Sequence, residues 1–99
     1  MERREIKWTL RARVERDEIL DFWYLKNKSI LYSEKLNTLF WTTISLIAEH
    51  PEAGKTLNKE RAIYYILVKS YRIYYHFTAK EFTVLSIWDT RRNPEKFKI

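Results

Sequence analysis

Ninety-nine residues, 45% hydrophobic and 16% aromatic, suffice for one domain whose single core rests on a few large rings. One glycine and two prolines exclude a low-complexity or disordered chain, and the absence of cysteine excludes disulfide frameworks and thiolate zinc sites. A formal charge of +6 points towards anionic partners.

Met1-Glu-Arg-Arg-Glu5 leads into no apolar run, and no stretch approaches the ~20 apolar residues that span a bilayer. A cytoplasmic location without membrane contact is therefore expected. Ile6, Trp8 and Leu10 alternate with Lys7, Thr9 and Arg11, the period of a half-buried strand. With no hairpin neighbour, this strand should join a later sheet. From Ala12 to Lys28 the period becomes helical, with Ile19, Phe22 and Trp23 on one stripe. Glu15, Asp17, Glu18 and Asp21 fall mainly off that stripe and read as a solvated face rather than a metal or acid–base site. Arg13 and Asp17 form an i,i+4 pair worth roughly 0.3 kcal/mol. After a break at Asn27–Ser29, a second helix is expected from Ile30 to Glu49, with Tyr32, Leu36, Leu39, Phe40, Thr43 and Ile47 near one face. The short connection makes the two helices a hairpin. His50-Pro51 ends the second helix. Pro51-Glu-Ala-Gly54-Lys makes a turn in which Gly54 supplies a positive φ, and Lys55 and Lys59 lie in the loop leading to the sheet.

From Arg61 to Phe97 β-branched and aromatic residues dominate. Lys69-Ser70 and Ala79-Lys80-Glu81 divide this stretch into a three-stranded antiparallel meander ending in a basic tail. From residue 61 onward eight Lys and Arg stand against three acids (Glu81, Asp89, Glu95), so that part of the chain carries +5 of the total +6. On the middle strand Tyr71, Ile73, Tyr75 and Phe77 should face the core. Arg72, Tyr74 and His76 face the other way, roughly 7 Å apart per step. The expected fold class is α+β, ordered β-α-α-β-β-β, with the helical hairpin packed on one face of an antiparallel-dominated sheet and the other face open. Arg61, Arg72, Arg91, Arg92, Lys55 and Lys59, interleaved with aromatics, suit a polyanion. His50 and His76 make no ligand pair, and there is neither a Gly-x-Ser-x-Gly elbow nor a glycine-rich phosphate loop, so no metal or cofactor is expected.

Several stretches together resemble the RelE/ParE superfamily, toxins of bacterial type II toxin–antitoxin modules. They are the element order, Pro51-Glu-Ala-Gly54, the strand Tyr71-Arg72-Ile73-Tyr74-Tyr75, and the closing Ile87-Trp88-Asp89-Thr90-Arg91-Arg92-Asn93-Pro94. The resemblance runs from about Ile6 to Pro94. It implies a toxin neutralised by a cognate antitoxin that wraps it with a helix and an extended segment. RelE-like members cut mRNA in the ribosomal A site, whereas ParE-like members inhibit DNA gyrase. Arg72 matches the middle-strand arginine of the nucleases, and Arg91 or Arg92 lies near their second phosphate-contacting arginine. The nucleases place lysines where this chain has Ile63 and Tyr65, and a tyrosine near Phe97. Other RNA-cutting branches carry a histidine near the C-terminus, and none follows His76 here. A nuclease would then need His76, Tyr74, Lys55 or Lys59 for proton transfer, with Arg72 on the phosphate. The departures favour the gyrase-directed branch. The alternatives are a ribosome-dependent endonuclease and a non-catalytic basic nucleic-acid-binding domain. An acidic antitoxin contacting the helical hairpin and the sheet edge is the partner expected in either toxin branch.

Overall fold

The computed structural model describes residues 3–99. Its first element, β1 (Glu5–Trp8), carries the expected alternation of Ile6 and Trp8 but stops short of Leu10. Thr9 is the reason. Its backbone is extended and its hydroxyl accepts from the Ala12 amide at 3.1 Å, so it caps α1 (Leu10–Asn27). The same hydroxyl donates to the Leu85 carbonyl at 2.9 Å, tying the start of the helix to the sheet. α1 ends at Lys28, whose φ of 51° and ψ of 33° lie in the left-handed region that favours glycine. Lys28→Gly is expected to raise stability by about 1 kcal/mol, measured as a shifted urea midpoint at unchanged slope.

α2 (Leu31–Glu49) follows at once, and Ser33 donates to the Leu20 carbonyl at 2.6 Å to hold it against α1. It ends at His50 as the following proline requires, and Pro51–Ala53 forms one 3-10 turn. Gly54 then corrects an expectation. Its φ is −72°, open to any residue, so a positive φ is not why glycine stands there. A Cβ at this position would lie 1.9 Å from the hydroxyl oxygen of Tyr75, which donates to the Pro51 carbonyl at 2.6 Å. The site needs glycine because a buried tyrosine ends against its backbone.

Four strands follow where three were expected: β2 (Lys55–Asn58), β3 (Ile63–Val68), β4 (Tyr71–Phe77) and β5 (Glu81–Asp89). Lys55 therefore lies in a strand, opposite Tyr65, and only Lys59 remains in the connecting turn. β2 lacks the usual signal because it is an outer strand, exposed from Lys55 to Leu57, with an irregular register between Thr56 and Asn58. The sheet order is β1-β5-β4-β3-β2. β1 joins it as anticipated, parallel to β5 with Ile6 opposite Phe82 and Trp8 opposite Val84, and every other pairing is antiparallel.

The core lies between the helices and one sheet face. Leu36, Phe40, Ile44 and Ile47 of α2 meet Val68, Tyr71, Ile73, Tyr75, Phe82, Val84 and Ile87. α1 adds Ala12, Ile19, Leu20 and Trp23, whose indole N–H donates to the Tyr71 hydroxyl at 2.8 Å. Phe22 does not share that stripe: it is 50% exposed. Asp17 pairs with Arg16 at 3.2 Å rather than with Arg13. Among the described residues no helix is long and apolar enough to cross a membrane.

One bulge interrupts the central pairing. Tyr74 lies opposite Ser86 and Tyr75 opposite Val84, leaving Leu85 as the extra residue. Glu15 reaches it from α1: one carboxylate oxygen accepts from the Ser86 hydroxyl at 2.7 Å and from the Ile87 amide at 3.3 Å. Glu15 is thus a structural tie between helix and sheet, not part of a solvated acidic face.

Candidate functional site

Where the helix-facing side of the sheet is apolar, the far side is aromatic and basic. Ile63, Tyr74 and Trp88 form its buried centre, with Tyr65, Leu85 and Phe97 against them. The register sets Tyr65 opposite Tyr74 and Arg72 opposite Trp88. The Arg72 guanidinium lies 4.5 Å from the centre of the Tyr65 ring, and its Nη1 donates to the Tyr74 hydroxyl at 3.4 Å. That hydrogen bond raises the arginine's pKa above its already high ordinary value. Among the described residues no carboxylate pairs with Arg72.

This face was expected to be open, and part of it is covered. After the 3-10 turn Pro94–Lys96 the chain returns across the sheet. Phe97 stacks on Tyr74 with centroids 4.4 Å apart and meets Trp88 edge-on at 5.0 Å. Two guanidiniums hold the segment by its backbone. Arg61 donates to the Ile99 carbonyl at 2.9 Å, and Arg11 donates to the Lys98 carbonyl while lying 5.3 Å from the Phe97 ring. Tyr74 is only 2% exposed as a result. Its hydroxyl accepts from Arg72 beneath that cover.

The remaining candidates divide between two sides of the sheet. The Arg92 guanidinium lies 4.4 Å from the Trp88 ring, so Arg61, Arg72 and Arg92 all meet the far face or the segment lying on it. Arg91 is drawn elsewhere. It grips Asp89 with Nε at 2.9 Å and Nη2 at 2.8 Å and lies 5.9 Å from the Trp23 ring on the helical side. These bonds hold the Asp89 carboxyl below the usual carboxylate range. His76 sits four residues along β4 from Arg72, ~13 Å away, with Nδ1 at 3.2 Å from the Ala62 carbonyl. The imidazole and the guanidinium are therefore not brought together. Lys55 borders the same cleft as Arg72, and Lys59 is exposed in the turn between β2 and β3.

Four contributors escaped sequence reasoning. Tyr65 and Trp88 read as generic strand aromatics, yet they carry the guanidiniums of Arg72 and Arg92. Arg11 carries no local signal, since its partner Lys98 is 87 residues away. Lys69 was legible only as a break between strands. Among the described residues no group of three or more His, Asp or Glu is placed to hold a metal ion.

Residues 6–94 match the family described as the ParE toxin of the type II toxin–antitoxin system parDE. The fold is similar to a solved structure titled "Chromosomal ParDE TA system from P. aeruginosa", with a TM-score of 0.70 at 16% identity. That match covers 85% of this chain and 92% of the other. No curated protein matches the chain by sequence.

Proposed function

The chain belongs to the ParE toxin family of type II toxin–antitoxin systems, and we propose that it arrests growth by binding DNA gyrase rather than by cutting RNA. The observation that carries this reading is that neither acid–base candidate on its own strand, Tyr74 or His76, is placed to move a proton beside Arg72. Cleavage by a ribose 2′-hydroxyl needs a base for the attacking oxygen and an acid for the departing one, each within hydrogen-bond reach. Arg72 supplies charge stabilisation alone. Its hydrogen-bonded neighbour Tyr74 is buried beneath Phe97, and His76 is held to the Ala62 carbonyl ~13 Å away along the strand. Ile63 and Tyr65 stand where the resembling nucleases carry lysines.

A cognate antitoxin completes the proposal. The chain's +6 charge favours an acidic partner, and Phe22, Leu25, Ile30 and Leu31 at the far end of the helical hairpin are each at least half exposed. Arg72 and Arg92, with Lys55 and Lys59, are the side chains offered to the target, while Arg61 is engaged by the Ile99 carbonyl.

Induction in bacterial cells tests the mechanism. The expected result is a DNA-damage response with intact transcripts by primer extension, and inhibition of supercoiling by purified gyrase. Ribosome-dependent cuts in mRNA that vanish together with growth arrest in Arg72→Ala would reverse the assignment to an endonuclease.

A further inference from the structure

On the helical side of the sheet, the start of β1, the last turn of α2 and the β4–β5 turn converge on a cavity of about 560 Å³. Ile6, Ala48 and Ala79 give it an apolar lining, and Ser45 and His50 bring a hydroxyl and an imidazole. Arg4 supplies a fixed charge. Its Nε donates to the Thr78 carbonyl at 2.7 Å and its Nη1 to the Ala48 carbonyl at 3.1 Å. The guanidinium also lies 5.5 Å from the centre of the Phe77 ring. Among the described residues no carboxylate pairs with it. We propose that this cavity binds a carboxylate carried on an apolar body, a ligand separate from both the gyrase target and the antitoxin.

Two adjacent arginines reach this place, and the fold treats them differently. Arg3 is 88% exposed at its side chain and lies 3.9 Å from Glu49, a loose pair that offsets the one acid in the lining. Arg4 instead bridges the end of β4 to α2, so its geometry is set before any ligand arrives and little freedom is lost on binding. Two of the five N–H donors of its fork are spent on backbone, which leaves the others for an oxygen ligand. The negative end of α2 would repel an anion, but it is already countered. Arg4 takes the Ala48 carbonyl, and the His50 amide takes that of Ile47 at 3.1 Å. With Arg3 balanced by Glu49, one unmatched positive charge remains, which suits a monoanion. A phosphate monoester, at about −1.5 to −2, would meet Glu49 with part of its charge unanswered. The volume and the apolar lining call for hydrocarbon beside the carboxylate, not for a bare small ion.

The test is a titration of the ¹⁵N-labelled full chain with N-acetyl-phenylalanine, followed by nuclear magnetic resonance at the Ala48, Thr78 and Ala79 amides. Saturable shifts at these positions are expected. Acetate, which lacks the body, and the uncharged N-methylamide of the same ligand should each bind at least about tenfold more weakly. Arg4→Gln should weaken binding to the same degree, but it also releases two backbone carbonyls. Ala79→Glu separates charge from folding: Ala79 is exposed in a turn, so the urea midpoint should hold while binding is lost. Lys35→Ala on α2 should follow wild type. A decapeptide ending in a free phenylalanine carboxylate identifies the source of the ligand. Binding at least about tenfold tighter than the single residue assigns the cavity to the end of a partner chain, and equal binding assigns it to a free small acid. No saturable shift in wild type, equal binding of the N-methylamide, tighter binding of phenyl phosphate, or unaltered binding by both variants overturns the proposal. The gyrase assay stands apart, because a chain that inhibits gyrase but binds none of these acids refutes only this inference.

Discussion

Gly54→Ala is expected to cost about 3 kcal/mol, measured by urea denaturation at neutral pH. The new methyl would stand 1.9 Å from the Tyr75 hydroxyl oxygen, 2.8 Å from Cζ and 3.0 Å from the Tyr65 carbonyl. The ring cannot yield: Tyr75 is fully buried, stacked on Phe82 at 4.6 Å and facing Tyr64 at 5.8 Å. Overpacking of this kind costs about 1–3 kcal/mol. Breaking the bond to the Pro51 carbonyl adds a buried group without a partner, about 1–3 kcal/mol more if relaxation is poor. Tyr75→Phe alone should cost about 1 kcal/mol through that lost bond. In the double variant the closest atom is gone, so the loss should fall well below the sum. Strictly additive losses would show that the hydroxyl is not what the methyl meets.

The same tyrosine sets an alkaline limit. Burial, the leading cause, pushes its pKa up to about 12, against about 10 in the unfolded chain. The folded state thus favours the neutral phenol. Its contribution is complete below pH 10, declines as the unfolded chain ionises, and is lost by about pH 12. Tyr75→Phe should flatten the fall in stability across that window relative to wild type.

Glu15→Ala carries the second large expected effect, a loss of about 2–3 kcal/mol. Ser86 is fully buried, and its hydroxyl and the Ile87 amide share one Glu15 oxygen. Removing the carboxylate leaves both donors without that acceptor at the bulge. Arg11 also loses a partner at 3.4 Å, and Arg11 is the residue that holds Lys98. Glu15→Gln keeps an acceptor oxygen in place and should lose under about 1 kcal/mol. Ser86→Ala should cost clearly less in the Glu15→Ala background than alone, and equal costs in both backgrounds would count against the shared bond.

Local pattern determined much of this protein. The alternation in β4 placed Tyr71, Ile73 and Tyr75 in the core and Arg72 and Tyr74 on the opposite face, because strand geometry permits nothing else at that period. Pro51 ended α2 by sterics confined to two residues. The resemblance carried by Arg72 and the closing Trp88–Pro94 stretch reached the family without coordinates. What the tertiary structure alone decided depends on partners distant in sequence. Gly54 answers to Tyr75, Glu15 to a bulge 71 residues away, and Phe97 to Tyr74. Which arginines share a face was decided the same way, with Arg91 turned aside by Asp89 and Arg61 and Arg11 spent on the returning chain. A residue's period reports which side of its own element it lies on. What stands opposite it is set by how separate elements pack, and no window along the chain contains that.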